Sequence, residues 1–319
     1  MNEAFAEQAL PAWRRAVLKV GSSLLSAADG TLSDRCARGL AAFIAAARLQ
    51  GREVVLVSSG AVAAGRAHVP ASARQANGLV LRQALAALGQ TRMVALWQGL
   101  LDVPVAQVLL THDDLRNRRR YLNARNTLLE LLRLGAVPVV NENDTVAVEE
   151  LKLGDNDNLA ATVAALVDAE CLLIASDVQG LYSADPQRDP AARPIDVVDS
   201  IGDDILAMAG EAGSSLGTGG MRTKLEAAGK AANAGIATVL FNGSDAQVVS
   251  GQDSGVAVAK RARLMRSALQ CGCSLAIRAA TPLACGAAID VPLADRYSPF
   301  GQVDQTRAPG AATLIRDAE

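Results

Sequence analysis

Five segments of the chain share one pattern, in which an apolar run ends abruptly in a cluster of small or polar residues. The runs begin at Arg15, Glu53, Val137, Cys171 and Ala237. Near-continuous apolar runs of this length are typical of strands buried on both faces, and therefore of a parallel sheet covered by helices. Because ligands bind outside the carboxyl ends of such strands, the five polar clusters are predicted to assemble one site at that edge.

Helical periodicity fills the intervals between the runs. Helices are predicted near residues 33–51, 75–100, 121–134, 158–167 and 221–234, with a further strand near residues 103–110. Ser33 is the predicted cap of the first helix, and Asp155 or Asn156 is a candidate cap for the fourth. The alternation predicts an α/β fold, a three-layer α/β/α domain with a mostly parallel central sheet over residues 12–245.

Beyond residue 245 the composition shifts towards Ala, Gly and Ser, and periodicity weakens. Two interpretations of residues 246–319 stay open, a small appended domain and a poorly ordered tail. The sequence alone predicts a C-terminal extension there without assigning its structure.

Composition narrows the class of protein. Half of the 319 residues are apolar but only 3% are aromatic, so Ala, Val and Leu must fill the interior. With 31 basic and 33 acidic residues the net charge is −2, which argues against general affinity for nucleic acid or membranes. Residues 1–13 do not resemble a signal peptide, and no apolar stretch reaches the roughly 18–20 residues of a membrane span.

The cysteines and histidines of the sequence do not show the spacing of a metal site. The five cysteines are odd in number, and Cys171 lies in a predicted buried strand, so reduced thiols and a cytoplasmic location are expected. With only His68 and His112 present, no Cys/His cluster with ligand spacing emerges.

Two strand ends carry features suited to an anion. Lys19 precedes Gly21 at the end of the first run, which places a cation beside a residue that allows close approach of the backbone. The second run ends in Ser58, Ser59 and Gly60 and continues into an Ala-rich helix, whose first N–H groups could bind an anion. Each feature taken alone also fits an ordinary turn.

Two acid and amide clusters, residues 141–144 and 154–158, lie between the third run and the next helix. Together they supply acceptors for an ammonium group and donors for a carboxylate. Asp157 is expected close to lysines, where it would organise the site rather than act as a general base.

A glycine-rich loop, residues 214–224, opens the last predicted helix. Its glycines can turn backbone donors towards phosphates, and Lys224 lies one turn into the helix. The loop does not match a Walker A motif. Two lysines without a histidine or metal cluster favour phosphoryl transfer, which depends on positioning and on neutralising charge.

The motifs that carry these features occur in the order found in the amino acid kinase family, which the chain resembles over about residues 12–245. The resemblance is strongest to members that act on glutamate. It implies ATP-dependent phosphorylation of the side-chain carboxylate of L-glutamate to L-glutamyl 5-phosphate, the first step of proline biosynthesis. It further implies Mg²⁺ brought in with ATP, feedback inhibition by proline and a homo-oligomer. Many members carry a C-terminal PUA domain, and here the chain departs from the family: residues 246–319 have about the right length for a truncated or divergent PUA-like region but show no convincing PUA pattern.

The resemblance also implies roles for individual residues. Lys19 and Lys224 would stabilise the transferring phosphoryl group, with Asp157 holding them in place. Ser59, Asp144 and Asn156 would bind glutamate. The residues expected to bind the nucleotide are Lys19, Ser176, Asp177, Thr218, Gly219, Gly220, Met221, Arg222, Thr223 and Lys224.

Other functions remain open at this level. A sibling kinase could act on N-acetylglutamate, aspartate or a nucleoside monophosphate, although Asp144 offers a counter-charge to a free ammonium group. The basic residues 116–120 suggest RNA binding as an alternative function. The aromatic residues expected for base stacking are absent, however, so nucleic acid is not an expected partner. A third alternative is a non-catalytic amino acid sensor, but the presence of Lys19 and Lys224 argues against it.

Overall fold

A central sheet organises the chain, and six of its strands run parallel. The computed structural model describes residues 11–27, 29–70, 78–147, 156–186, 188–209 and 220–244, and the backbone of residues 263–265. The strands are β1 (Arg15–Val20), β2 (Glu53–Ser58), β3 (Val105–Leu110), β4 (Val137–Glu142), β5 (Cys171–Ser176), β6 (Val197–Val198), β7 (Ala237–Asn242) and β8 (Arg263–Met265).

Helices cover both faces of this sheet. A short 3-10 helix (Ser22–Leu25) follows β1. The described α-helices are α1 (Arg35–Leu49), α2 (Ala61–Arg66), α3 (Leu79–Leu100), α4 (His112–Arg116), α5 (Arg118–Arg133), α6 (Asn156–Leu166), α7 (Asp203–Met208) and α8 (Met221–Asn233).

The strand order is β3-β4-β2-β1-β5-β7-β8-β6. Strand β1 pairs in parallel with β2 on one side and with β5 on the other, and β7 continues in parallel from β5. Only β8 runs antiparallel to its neighbour β7 among the described pairs. The predicted mostly parallel sheet in a three-layer α/β/α fold is therefore confirmed.

Alternate residues of the strands face two separate apolar layers. Leu18 and Leu56 pack with α1 and α3, whereas Val17 and Val55 pack with α6 and α8 on the opposite face. Every residue of β1 is buried, as expected for a strand between two helical layers. A third, smaller cluster, which the sequence pattern did not predict, joins the 181–206 segment to α8.

The predicted helices need three local corrections. Asp34, not Ser33, occupies the cap position of α1, and the Ser33 hydroxyl accepts a hydrogen bond from the Arg35 N–H at 3.3 Å. Helix α5 begins at Arg118 because the side chain of Asn117 caps it. Helix α6 begins at Asn156, so this residue lies inside the helix.

The predicted division of the chain into a domain over residues 12–245 and an extension over residues 246–319 stays a prediction. The chain separates into two compact units, Met1–Cys273 and Ser274–Glu319, and all residues that the structure describes belong to the first unit. Strand β8 lies beyond the predicted boundary at residue 245, and its backbone pairs with β7 and β6. In the part of the chain that is described, no helix has the length and hydropathy needed to cross a bilayer.

Candidate active site

The site lies where the chain changes direction across the sheet. From β1 the chain proceeds to β2 on one side, and it later returns to β5 on the other side. The registers pair Val20 with Ser58 and with Ala175, so these parallel strands end at one edge. In open α/β sheets the carboxyl edge at such a switch point forms the ligand crevice.

A buried carboxylate joins two lysines at this edge. The Nζ of Lys19, near the end of β1, lies 2.5 Å from Oδ1 of Asp157, and the Nζ of Lys224, in the first turn of α8, lies 3.5 Å from Oδ2. The side chains are 5%, 8% and 0% exposed for Lys19, Lys224 and Asp157, respectively. Two buried ammonium groups thus meet around one carboxylate, an arrangement suited to the oxygens of a phosphoryl group.

Local structure holds this carboxylate in place. Asp157 is the second residue of α6, where the helix dipole favours a negative charge. The hydroxyl of Thr223 lies 3.2 Å from Oδ2 of Asp157, and the ammonium of Lys224 also lies 3.4 Å from the carbonyl of Gly220. The first turn of α8 and the start of α6 therefore meet at the end of β1.

Gly21 lies beside the ammonium group of Lys19 at the end of β1. Its backbone N–H donates to the carbonyl of Ala175 at 3.3 Å. A Cβ added at Gly21 would stand 4.0 Å from Nζ of Lys19 and 3.6 Å from that carbonyl oxygen. Both distances are ordinary van der Waals separations, so Gly21 brings the backbone within contact distance of the ammonium group of Lys19.

A cluster of amide and hydroxyl groups extends the site towards β4. Nδ2 of Asn156 lies 2.7 Å from Oγ of Ser59 and 2.9 Å from Oδ1 of Asn141. Nδ2 of Asn141 in turn donates to Oε1 of Gln90 at 2.9 Å. Asp144 lies half-buried in the turn that follows the same strand as Asn141.

The motif analysis misses Gln90, which lies inside the apolar helix α3. Its signal is a single amide among apolar residues on the buried face of that helix. It likewise misses Trp97, whose indole N–H donates to the Ser58 hydroxyl at 2.9 Å. Both residues support the β2 and β4 ends from the layer beneath.

Gly60 is required at the turn that carries Ser59. Its φ of 105° lies in the left-handed region that favours glycine, and the short helix α2 begins immediately after it. The N–H of Ser59 itself donates to the carbonyl of Val20 at 3.1 Å, which ties this turn to β1.

The predicted nucleotide residues lie at several separate places in the structure. Ser176 and Asp177 follow β5, where the Ser176 hydroxyl donates to Asp177 at 3.2 Å. Thr223 and Lys224 contact Asp157, whereas Arg222 is exposed and pairs with Glu226 at 3.2 Å. Gly220 caps α8 and Met221 begins it, packing partly against two apolar clusters. Thr218 and Gly219 lie outside the described residues.

A cleft of about 210 Å³ opens at the ends of β3 and β4. It is lined by Thr111, His112, Asp113, Arg120, Glu142, Val146 and Ala147. Beside it, burial opposes ionisation of Asp114, but hydrogen bonds from Thr111 and the charge of Arg120 outweigh burial and lower the pKa of that carboxyl. Asp114 is therefore a carboxylate that completes the capping box with Thr111, the cap residue of α4.

The described cysteines serve packing. Cys36 and Cys171 are free and buried. Burial, with the nearby charge of Glu170, raises the pKa of Cys171 to about 12, so its thiol stays protonated and unreactive at neutral pH.

Two curated relatives are similar to this chain over about three quarters of its length. Glutamate 5-kinase of Xanthomonas campestris pv. campestris (strain 8004) is 68% identical over 235 residues, covering 74% of this chain and 65% of that protein. Glutamate 5-kinase of Xylella fastidiosa (strain 9a5c) is 64% identical over 247 residues, covering 77% of this chain and 64% of that protein. The chain thus spans slightly less than two thirds of the length of these relatives.

Solved structures of low sequence identity share the fold. Carbamate kinase from Giardia lamblia bound to AMP-PNP gives a TM-score of 0.56 at 16% identity, covering 80% of this chain and 99% of that one. UMP kinase from Bacillus anthracis gives a TM-score of 0.53 at 14% identity, covering 80% of this chain and 97% of that one. The model of the amino acid kinase family matches residues 14–242, which include the whole described site. The chain belongs to the amino acid kinase family.

Proposed function

We propose that the chain transfers the γ-phosphoryl group of ATP to the side-chain carboxylate of L-glutamate, producing L-glutamyl 5-phosphate and ADP in the first step of proline biosynthesis. The observation that carries the proposal is the buried Lys19–Asp157–Lys224 group, in which one carboxylate pairs with two ammonium groups at the switch point. The 64–68% identity to glutamate 5-kinases supports the choice of reaction.

The acceptor explains why the site needs no general base. A carboxylate is already ionised at neutral pH, so one of its oxygens can attack the γ-phosphorus without losing a proton. Catalysis then consists of holding the two reactants in line and neutralising charge on the phosphoryl oxygens. Lys19 and Lys224 supply that charge, and Asp157 keeps both ammonium groups oriented.

The nucleotide would lie on the β5 side of these lysines. Ser176 and Asp177 lie at the end of β5, and residues 218–224 lead into α8. The first backbone N–H groups of a helix such as α8 can donate hydrogen bonds to an anion. The cationic lysines match phosphate oxygens rather than a metal, so Mg²⁺ fits as an ion held mainly by the phosphates of ATP and by water. When bound, Mg²⁺ would neutralise part of the phosphate charge.

Glutamate would lie on the β2 and β4 side. Asn156 and Ser59 form the hydrogen-bonded cluster there, and Asp144 supplies a negative charge in the turn after β4. Free glutamate carries an α-ammonium group, whereas N-acetylglutamate carries a neutral amide at the same position. A carboxylate in this region therefore favours the free amino acid.

ADP release measured across amino acids tests the proposal. L-Glutamate should support turnover, and N-acetylglutamate and L-aspartate should support much less. Asp144→Asn should raise KM for glutamate by about 10²-fold, the scale of a lost charged contact of about 3 kcal/mol, and should change KM for ATP little. Equal use of N-acetylglutamate by the wild type would contradict the assignment.

We further propose, from membership of the family, that the protein is a cytoplasmic homo-oligomer subject to feedback inhibition by proline. Sedimentation of the purified protein tests the oligomeric state, and the assay above repeated in proline tests the feedback inhibition. A monomer or a proline-insensitive enzyme would refute the corresponding part.

A further inference from the structure

A buried tryptophan is joined by two hydrogen bonds to the turn that carries Ser59. The indole N–H of Trp97, on α3, donates to Oγ of Ser58 at 2.9 Å, and the same Oγ lies 3.2 Å from the carbonyl oxygen of Ser59. Trp97 and Ser58 are both 0% exposed. Hereafter we refer to Trp97, Ser58 and Ser59 as the tryptophan link.

The groups at the two ends of the tryptophan link fix the direction of both hydrogen bonds. An indole nitrogen can only donate, so Ser58 accepts from Trp97. A carbonyl oxygen can only accept, so the single hydroxyl hydrogen of Ser58 is donated to Ser59. Because neither end group can take the opposite role, the link has one arrangement of donors and acceptors.

The tryptophan link completes the anchoring of the Ser59 backbone. The N–H of Ser59 donates to the carbonyl of Val20 at 3.1 Å, and its own carbonyl accepts from Ser58. Because each peptide group is planar, holding both of them sets the two backbone dihedrals of Ser59 and hence the direction of its side chain. The hydroxyl at the end of that side chain lies 2.7 Å from Nδ2 of Asn156, on the proposed glutamate side of the site.

Helix α3 is a firm support for this link because it also contacts the helix that follows the turn. Gly89 lies about two turns before Trp97, and therefore on the same face of α3. A Cβ at Gly89 would lie 1.9 Å from the carbonyl oxygen of Ala61, the first residue of α2. The backbones of α2 and α3 are thus in contact, so α3 holds both the turn and the helix that continues from it.

We propose that Trp97 is a positioning residue that acts through Ser58 to hold the Ser59 hydroxyl in place, and so raises the affinity for the amino acid acceptor. The inference rests on the proposed function, in which Ser59 binds glutamate. A group that is already ordered binds its ligand more tightly than one that must be ordered on binding. The proposed nucleotide side lies across β1 from this link, at β5 and α8, so ATP binding should not depend on it.

Two substitutions break the tryptophan link at different places. Trp97→Phe removes the indole N–H and keeps an aromatic ring in the core, whereas Ser58→Ala removes the hydroxyl and leaves the indole in place. The matched control is Trp13→Phe. Trp13 belongs to the same apolar cluster and is 6% exposed, and its indole nitrogen makes no hydrogen bond within the described part of the chain.

The expected result is weaker binding of the acceptor alone. Trp97→Phe and Ser58→Ala should each raise KM for L-glutamate about 3–10-fold, the scale of one net hydrogen bond. The values of kcat and of KM for ATP should stay within about 2-fold of the wild type, and Trp13→Phe should match the wild type throughout. Because both substitutions break one link, the double variant should have a KM for glutamate within about 2-fold of that of Ser58→Ala.

Three kinetic results overturn the inference. The first is an unchanged KM for glutamate in folded Trp97→Phe or Ser58→Ala. The second is an equal rise in KM for glutamate and ATP, which indicates a general loosening of the core. The third is a double variant in which the two effects multiply, since that indicates independent contributions. If Trp97→Phe does not fold, Ser58→Ala decides the question, because it breaks the same link with less change to the core.

A measurement without substrate distinguishes this inference from the proposed function. In protein made with ¹⁵N-labelled serine, the backbone N–H signal of Ser59 is identified by its loss in Ser59→Ala. Its hydrogen exchange should be slow in the wild type and Trp13→Phe, and faster in Trp97→Phe and Ser58→Ala. Unchanged exchange in these two variants refutes the positioning role whichever acceptor the enzyme uses. A wild type inactive with glutamate, together with faster exchange in the variants, refutes only the proposed function.

Discussion

Replacing Asp157 by asparagine tests the charge arrangement of the site. The substitution keeps the shape of the side chain and removes the only carboxylate shown to contact both Lys19, at 2.5 Å, and Lys224, at 3.5 Å. Two almost fully buried ammonium groups would then share one site without this counter-charge. Such a loss destabilises the fold because neither group can regain its hydration.

The magnitude follows from burial. Removing one partner of a buried ion pair costs about 3–5 kcal/mol. For a domain of this size, each kcal/mol shifts the melting temperature by about 2–4 °C, so Asp157→Asn should lower Tm by about 6–20 °C. An anion bound between the lysines replaces the missing charge, so pyrophosphate should raise Tm more in the variant than in the wild type.

Thermal unfolding with and without pyrophosphate provides the assay, and Asp168→Asn is the control. Asp168 pairs with Arg125 at 2.5 Å but is 67% exposed, so losing its charge should cost at most about 1 kcal/mol. Asparagine also tolerates the φ of 50° found there. Two results would refute the reasoning. One is a Tm of Asp157→Asn within about 2 °C of the wild-type value, and the other is equal stabilisation of both proteins by pyrophosphate.

Three further predictions concern catalysis, packing and pH. Lys224→Ala should lower kcat by about 10²–10³-fold, whereas Lys230→Ala on the same helix should lower it less than about 3-fold; equal rates for both would exclude a catalytic Lys224. In denaturant unfolding, Gly89→Ala should destabilise by several kcal/mol because its Cβ meets a carbonyl at 1.9 Å, whereas Gly99→Ala, with no atom within 4 Å, should stabilise by up to about 1 kcal/mol. Because the folded pKa of Asp114 is lowered, its stabilisation is complete above the unfolded pKa of about 3.9 and is lost as pH falls through the folded pKa. The difference in unfolding free energy between wild type and Asp114→Asn should therefore shrink between pH 7 and about pH 3.5 in urea titrations, and a constant difference would contradict this.

The sheet could be predicted from sequence because its strands are buried on both faces. The run beginning at Cys171 is apolar up to Ser176, and the run beginning at Arg15 is interrupted only by Lys19; each forms a strand buried along its whole length. The polar clusters that end these runs mark the carboxyl edge without any knowledge of strand order. The sequence therefore located the site edge, and the switch point between β2 and β5 required the structure.

Contacts between distant elements could not be predicted in the same way. Gln90 follows no motif, and its partner Asn141 is 51 positions away. The third apolar cluster depends on residues such as Leu181 and Val198, which are too scattered for periodicity to reveal. For Gln90 and the third cluster, tertiary contacts rather than local pattern determine the outcome. The start of α5, three residues before the predicted helix, has a different cause, because it depends on a local side-chain cap by Asn117 that hydrophobic periodicity does not register.

The acyl phosphate itself provides the most direct test of the central claim. With wild-type protein, MgATP and L-glutamate, hydroxylamine in the assay should trap L-glutamyl 5-phosphate as a hydroxamate, in a one-to-one ratio with ADP. Lys224→Ala should lose hydroxamate and ADP together, because the same transfer produces both. ADP formed without hydroxamate, or hydroxamate formed equally from N-acetylglutamate, would contradict the assignment of this site to phosphorylation of the glutamate side chain.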